Sequence, residues 1–253
     1  MQPLFRSFTL IILFTLTGCA TLDHPPAEND PLERFNRSVY MFNDKVDQYV
    51  LKPVATGYDK VTPAPVQKGV SNFFSNLDDV VVMVNDLLQF KLLQFGSDLG
   101  RFVVNSTLGL AGFIDWASDM GMPKHNEDFG QTLGYWGTPS GPYLVLPFLG
   151  PSTIRDTGGL VVDGEKLDPI WNKIEDGAPF EHRNENTALG LTTLKVINIR
   201  ASLLKSESIL DEAALDKYNF IREAYLQRRQ NLVYDGNPPQ PPPEFNEKEL
   251  FDF

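Results

Sequence analysis

The chain has a single cysteine, Cys19, among 253 residues. One thiol excludes an intramolecular disulfide and any cysteine-based metal centre. Cations are also scarce: 22 Lys+Arg against 33 Asp+Glu leave a formal net charge of −11. That balance excludes nucleic acid as an expected partner, because phosphate backbones are held by clustered cations, and it leaves no polybasic patch for anionic lipid. Histidine is limited to His24, His125 and His182, and no HExxH, GxSxG, Walker A, GxGxxG or EF-hand pattern occurs. Neither a metal nor an organic cofactor is therefore expected, and an enzyme is disfavoured. Nor does any apolar run approach the ~20 residues that a membrane-spanning helix needs.

What is present begins at the N-terminus. Arg6 followed by the apolar FTLIILFTL (Phe8 to Leu16) reads as a secretory signal over residues 1–18. It ends in Leu16-Thr17-Gly18-Cys19, which resembles the bacterial lipobox, so Cys19 is the expected lipid-attachment residue. Stable anchoring takes more than one acyl chain, and a mature lipoprotein of this kind carries three. Ala20, where an aspartate favours inner-membrane retention, points to the outer membrane by analogy. Residues 19–29 form the anchor and a linker containing Pro25 and Pro26. Ten extended residues reach about 33 Å at most, so the following domain stays near the bilayer.

From Asp30 the pattern is helical. Asp30-Pro31 reads as an N-cap with proline at the first helical position, and Leu32, Phe35, Val39, Phe42 and Val46 recur every three or four residues. Lys52-Pro53 is expected to end this helix or its continuation, with a loop to about Pro65. Val66, Val70, Phe73, Leu77, Val80, Val84 and Leu87 form one stripe of a second helix. Residues 92–117 are greasier and carry Gly96, Gly100, Gly109 and Gly112. They suit either a tightly packed soluble core or a helix pair packed in lipid. Loops with short helices are expected over 121–180, and helices over about 186–204 and 207–233, the second opened by a capping box at Ser208–Asp211. The tail, 236–253, is a proline-rich spacer ending in the acidic EKELFDF. The domain proper is thus 30–235, and its expected class is all-α.

Polar clusters offer little chemistry. Asp78-Asp79 reads as a solvated face, and Arg155-Asp156 beside Gly158-Gly159 as a turn held by an internal ion pair. The stretch GPYLVLPFLGPS (141–152) is uncharged and broken by Pro142, Pro147 and Pro151. Composition alone favours a buried strand. Beside a lipidated cysteine, a proline-bent loop or short helix at the bilayer is the better reading, with Tyr143, Leu144, Leu146 and Phe148 seating it.

Several long blocks, in order, carry a family resemblance: DPLERFNRSVYMFND (30–44), GVSNFFSNLDDVVVMVNDLLQ (69–89), RFVVNSTLGLAGFID (101–115), FGQTLGYWG (129–137), GPYLVLPFLGPSTIRDTGG (141–159) and REAYLQRR (222–229). The chain resembles the MlaA/VacJ family of outer-membrane lipoproteins. The resemblance implies a single ring-shaped helical domain lying in the inner leaflet of the outer membrane beside trimeric porins of the OmpC/OmpF type. It implies an amphipathic channel passing mislocalised phospholipid to a periplasmic carrier of the MlaC type, with energy supplied elsewhere. It places Phe42 and Asn43 on the helix that controls channel opening. Arg101, Asn105, Arg155, Asp156 and Arg200 are polar candidates for the channel or its rim, with structural ion pairs or caps as the alternative. A porin-associated scaffold that moves no lipid is the competing reading.

Overall fold

The computed structural model describes residues 30–170, 185–213 and 216–239. Cys19, the linker and the acidic end of the tail lie outside them. The described chain is helical apart from one β-hairpin. In order it comprises α1 (Glu33–Val46), a π-helical turn (Asp47–Leu51), α2 (Lys52–Val61), α3 (Ala64–Leu88), α4 (Leu92–Thr107), the single turn α5 (Trp116–Asp119) and α6 (Phe129–Tyr135). The hairpin β1 (Tyr143–Leu146) and β2 (Gly150–Thr153) follows, then α7 (Ile154–Val162) with a second π-helical turn (Asp163–Leu167), α8 (Glu185–Ala213) and α9 (Lys217–Val233).

The expected helix start is moved by tertiary contacts. Leu32 takes the N-cap position with no side-chain cap. The carboxylate of Asp30 is fully buried instead, accepting from Asn36 Nδ2 (2.7 Å), Arg222 Nη1 (3.2 Å) and the Tyr218 hydroxyl. Pro53 does not stop the helix either. It sits in the first turn of α2, and the π-helical turn before it absorbs the missing N–H and the ring's bulk. The capping box at 208–211 is likewise overrun, because α8 continues to Ala213 and Asp216 caps α9, accepting from Asn219 N at 3.2 Å.

Residues 141–152 fold as an antiparallel hairpin with Tyr143 opposite Thr153 and Leu146 opposite Gly150. This corrects the loop-or-helix expectation and adds β structure to a fold that is otherwise helical as expected. The prolines fit the register. Ile154 N donates to Pro142 O (3.2 Å), so Val145 and Pro151 form a non-hydrogen-bonded pair, where proline's missing N–H leaves no gap in the ladder. Pro147 lies in the turn, which Phe148 and Gly150 complete at φ +64° and +83°. Tyr143 and Val145 point inward and pack with Val39 and Tyr218.

Polarity across α3 and α4 is inverted. The buried residues of α3 include Asn76, Asp79, Asn85 and Asp86, and those of α4 are Asp98, Arg101 and Asn105. Leu87, Leu88, Phe90, Leu92, Leu93, Leu99 and Val103 are exposed, Leu93 by 94%. The predicted apolar stripe of α3 exists, yet its ends Val66 and Leu87 are 52% and 43% exposed. Asp79, read as solvated, is buried and paired with Lys124. Among the described residues nineteen buried side chains are polar or charged and eleven are hydrophobic, while 34 large hydrophobic residues are exposed. A water-soluble domain sorts its residues the other way.

Candidate functional site

Helix α1 grips the hairpin through two asparagines seven residues apart, hence on one helix face. Tyr143 and Val145 turn their peptide groups to the free edge of β1. Asn36 fills that edge: its Nδ2 donates to Tyr143 O (3.0 Å) and its Oδ1 accepts from Val145 N (2.9 Å). Asn43 repeats the pattern at the turn, donating to Leu146 O (2.9 Å) and accepting from Phe148 N (2.8 Å). Each carboxamide substitutes for a neighbouring strand's peptide group. The Phe42 ring meets Phe148 edge-on, with centroids 5.3 Å apart. The two residues assigned by resemblance to channel opening therefore contact the tip of the hairpin. At that tip Phe148 and Leu149 are 65% and 67% exposed. Leu144 and Leu146 are half-buried. Tyr143 is 1% exposed and forms core with Tyr218 and Tyr225, so its expected role as a lipid-facing side chain is corrected.

The π-helical turn is fixed to α8. Arg200 donates from Nε and Nη2 to the two oxygens of Asp47 (2.6 and 2.8 Å), and Nη2 also reaches Glu207 (3.1 Å). Hydrogen bonding to Asp47 raises the guanidinium pKa. Lys52 Nζ meets the other oxygen of Glu207 at 2.8 Å. Arg200 thus clamps the α1–α2 junction and is not a free rim cation.

Arg101 and Asn105 are buried. Arg101 donates to Met122 O (2.6 Å) and to both oxygens of Asp115 (3.1 and 3.2 Å), and Asn105 Nδ2 donates to Asp115 Oδ1 (2.9 Å). Burial opposes ionisation of Asp115, yet donors from Ser118 and Asn105 and the Arg101 charge hold its pKa down to about 2. Both residues tie α4 to the start of α5.

Arg155 and Asp156 form part of a larger cluster. Arg155 Nε and Nη2 each lie 3.0 Å from Asp156 Oδ1. Arg229 joins Asp156 (2.8 Å) to Asp128, and Tyr225 OH donates to the second oxygen of Asp156 (2.9 Å). Burial pushes the Asp156 carboxyl up, and Arg229 and Arg155 outweigh it and hold it low. Glycine makes this possible, since a Cβ at Gly130 would stand 2.7 Å from Asp156 and one at Gly134 2.9 Å from Arg155. Arg155 and Arg229 line a cavity of about 420 Å³ together with Thr138, Ser140 and Tyr234. Asp128 and Asp156 do not line the cavity but pair with both guanidinium groups from outside it.

Sequence reasoning missed Asn36 and Arg229, gave Asp30 a capping role it does not have, and missed the polar seam of α3. The available signal was periodic: Asn36 with Asn43 at seven residues, and Asn76, Asp79, Asp86 and Gln89 at near-helical spacing. Among the described residues no three acidic or histidine side chains come together to hold a metal ion, and no helix is long and apolar enough to cross a membrane.

Comparison with known proteins bears on this arrangement. The family model for the MlaA lipoprotein matches residues 28–232. The chain is 39% identical over 227 residues to the intermembrane phospholipid transport system lipoprotein MlaA of Escherichia coli K12, covering 87% of this chain and 85% of that protein. It is 35% identical to the MlaA of Haemophilus influenzae, over 90% of this chain and 89% of the relative. A solved chain from work on the structural basis for maintenance of bacterial outer membrane lipid asymmetry superposes with a TM-score of 0.67 at 34% identity, covering 82% of this chain and 99% of that one. An inside-out helical domain, a helix-gripped hairpin and matches extending over nearly the whole chain lead to one conclusion: the chain belongs to the MlaA lipoprotein family.

Proposed function

We propose that this chain is a lipoprotein of the outer membrane, anchored through Cys19 and embedded from the periplasmic side as a helical ring. In this role it takes phospholipids that have strayed into the outer leaflet through an amphipathic channel. It passes them to a periplasmic carrier of the MlaC type while resting against a trimeric porin of the OmpC/OmpF type. The observation that carries the reading is the inverted polarity of the surface. Thirty-four exposed large hydrophobic residues need an apolar medium, and among the described residues no helix is built to span one. Each such side chain withdrawn from water contributes about 1.5–3 kcal/mol, so even a handful of them, such as Leu93, Phe90 and Phe148, holds the domain in a leaflet. Tyr135 and Trp136 stand exposed beside Phe90, and the Trp136 indole donates to Leu88 O (3.0 Å), an arrangement suited to a headgroup interface. The relatives' names speak of phospholipid transport, which agrees with a lipid-facing surface around a polar interior.

In this reading the contact of Phe42 and Asn43 with the hairpin tip sets how wide the channel stands, and the Arg200–Asp47 clamp holds the helix behind it. The test is transfer of labelled phospholipid from the outer leaflet of reconstituted vesicles to purified carrier, with and without the protein. Transfer that depends on the protein is the expected result. Equal transfer without it, together with a deletion strain whose outer leaflet gains no phospholipid, refutes the transport reading.

A further inference from the structure

Where α3 meets α4, the seam contains a carboxyl group with no donor to satisfy it. Asp86 is fully buried, and neither of its oxygens has a hydrogen-bond partner. The group that faces it is Asp98 of α4, also fully buried, whose Oδ1 is likewise unpartnered. The other oxygen of Asp98 lies 2.9 Å from His125 Nδ1.

Donors that surround the pair are engaged elsewhere. Lys91 Nζ serves Glu127 (3.0 Å) and Asp235 (2.5 Å). The Gln89 amide donates to Glu127 and Thr132, and its buried Oε1, one more acceptor, is unpartnered. Gln94 also donates to Glu127. On the loop after α5, Lys124 is taken by Asp79 and Ser75 O. Arg101 is taken by Asp115 and Met122 O. From the second π-helical turn Asp163 accepts from Asn85 and Phe129 N, and from α8 Lys195 pairs with Asp78.

Asp86 also lies in the last turn of α3, where the helix dipole opposes negative charge. Two facing carboxylates, both out of water and with His125 on the far oxygen of Asp98 as their one neighbouring partner, do not persist as a dianion, because nothing donates to the three oxygens between them. A metal ion is the other remedy, and no grouping of ligands for one exists among the described residues.

We propose that Asp86 and Asp98 form a binding site for one proton, shared between the two carboxyl groups at the α3–α4 seam. With that proton in place one acid donates to the other, and the orphaned oxygens become a bonded pair. Burial, followed by the charge of Asp98, pushes the Asp86 carboxyl up to about 8. The site stands directly behind the exposed tip formed by Leu87, Leu88, Phe90 and Leu92. Loss of the proton therefore loosens that apolar tip in neutral to alkaline medium. This inference does not depend on lipid transport.

The sign follows from linkage. The folded chain keeps a proton that the unfolded chain releases above its ordinary carboxylate range. Folding is thus progressively disfavoured from about pH 4 up to about pH 8, by as much as tenfold per pH unit, and levels off beyond. The experiment uses the full lipoprotein in neutral detergent, comparing wild type, Asp86→Asn and Asp98→Asn. Thermal unfolding is followed from pH 5 to 9, and infrared spectra are recorded with carboxyl-labelled aspartate. The wild type is expected to show a protonated-carboxyl band at pH 6 that disappears above pH 8. Either substitution is expected to remove the band and flatten the pH dependence of unfolding. Parallel pH curves for wild type and both variants, or no such band at pH 6, overturn the proposal. So does stabilisation of the wild type, but not Asp86→Asn, by calcium or magnesium reversed with EDTA, which marks a cation site. Should neither variant fold, the wild-type spectrum alone decides.

Discussion

Replacing Asn36 by alanine removes three hydrogen bonds from a place that water does not reach. The side chain is fully buried. Its loss leaves Tyr143 O and Val145 N without partners on the edge of β1, and Asp30 Oδ1 without its 2.7 Å donor. An orphaned buried group costs about 1–3 kcal/mol, so the three together remove about 3–9 kcal/mol. At about 2–4 °C per kcal/mol for a domain of this size, the melting temperature falls by at least roughly 6 °C and by up to about 36 °C. Asn43→Ala is the internal control. It makes the same two-bond contact, but Phe148 N is exposed, so water replaces part of what is lost and the cost is about 1 kcal/mol. Asn36→Asp sharpens the test. It keeps the acceptor for Val145 N but sets a second carboxylate against Asp30, so it is destabilising at pH 7 and partly recovers in acid, where the new carboxyl is protonated and donates. Circular dichroism melts of the purified lipoprotein in detergent decide. Equal melting points for Asn36→Ala and Asn43→Ala refute the idea that burial, rather than bond count, makes Asn36 the main staple of the hairpin.

Other consequences are as direct. Gly112→Ala places a Cβ 2.6 Å from Asn76 Cβ at φ +95°, so it destabilises by about 2–4 kcal/mol, read as a lowered melting point with protein levels falling in cells. Leu93→Asp and Phe148→Asp lose about 1.5–3 kcal/mol each of lipid contact, a drop of tenfold or more in vesicle co-sedimentation of an unlipidated variant, with the circular dichroism spectrum unchanged. Val145→Asp, at a buried site beside Val39, unfolds the chain instead. Asp115, held down to about 2 by Ser118, Asn105 and Arg101 against its burial, contributes stability that is complete above the ordinary carboxylate range and lost as pH falls towards 2. Asp115→Asn therefore lowers the melting point at pH 7 and narrows its gap to wild type by pH 2.

Much of the helical outline is legible in the sequence, and each failure has a local cause. The periodicity of α3 is correctly read because seven apolar residues keep step with a 3.6-residue turn. Asp30 is misread as a cap because Arg222 and Tyr218, some 190 positions away, take its carboxylate into the core. Pro53 is misread as a stop because one widened turn accommodates it. The hairpin is hidden by its prolines, which look like breakers until the register shows that Pro151 sits where the ladder needs no N–H. Arg101, Asn105 and Arg200, channel or rim candidates with a structural ion pair or cap as the alternative, each carry a partner within the fold, which no single-sequence pattern could show.

The deeper reason lies in what amphipathicity measures. A helical hydrophobic pattern separates two faces but does not say which one meets the solvent, since the period is the same either way. Where α3 and α4 meet, polar residues face each other, and the leucines at the α3–α4 tip and along α4 look out, while the middle of the α3 stripe packs on α8 through Val70, Phe73 and Leu77. A buried polar seam of this kind is stable only if nearly every group in it is satisfied, which is why Asn76 bonds Ser106 across it and Asp79, Asn105 and Arg101 take partners from the segment after α4. Among the seam's unsatisfied oxygens, those of Asn76 and Gln89 are neutral amide oxygens, whereas Asp86 and Asp98 are carboxyl groups that one proton can join. An apolar exterior removes the option of turning an unsatisfied carboxylate out to water. Inverted polarity and a proton held in the seam are thus linked: the same outward-facing leucines that suit the domain to lipid leave Asp86 no other way to be neutral.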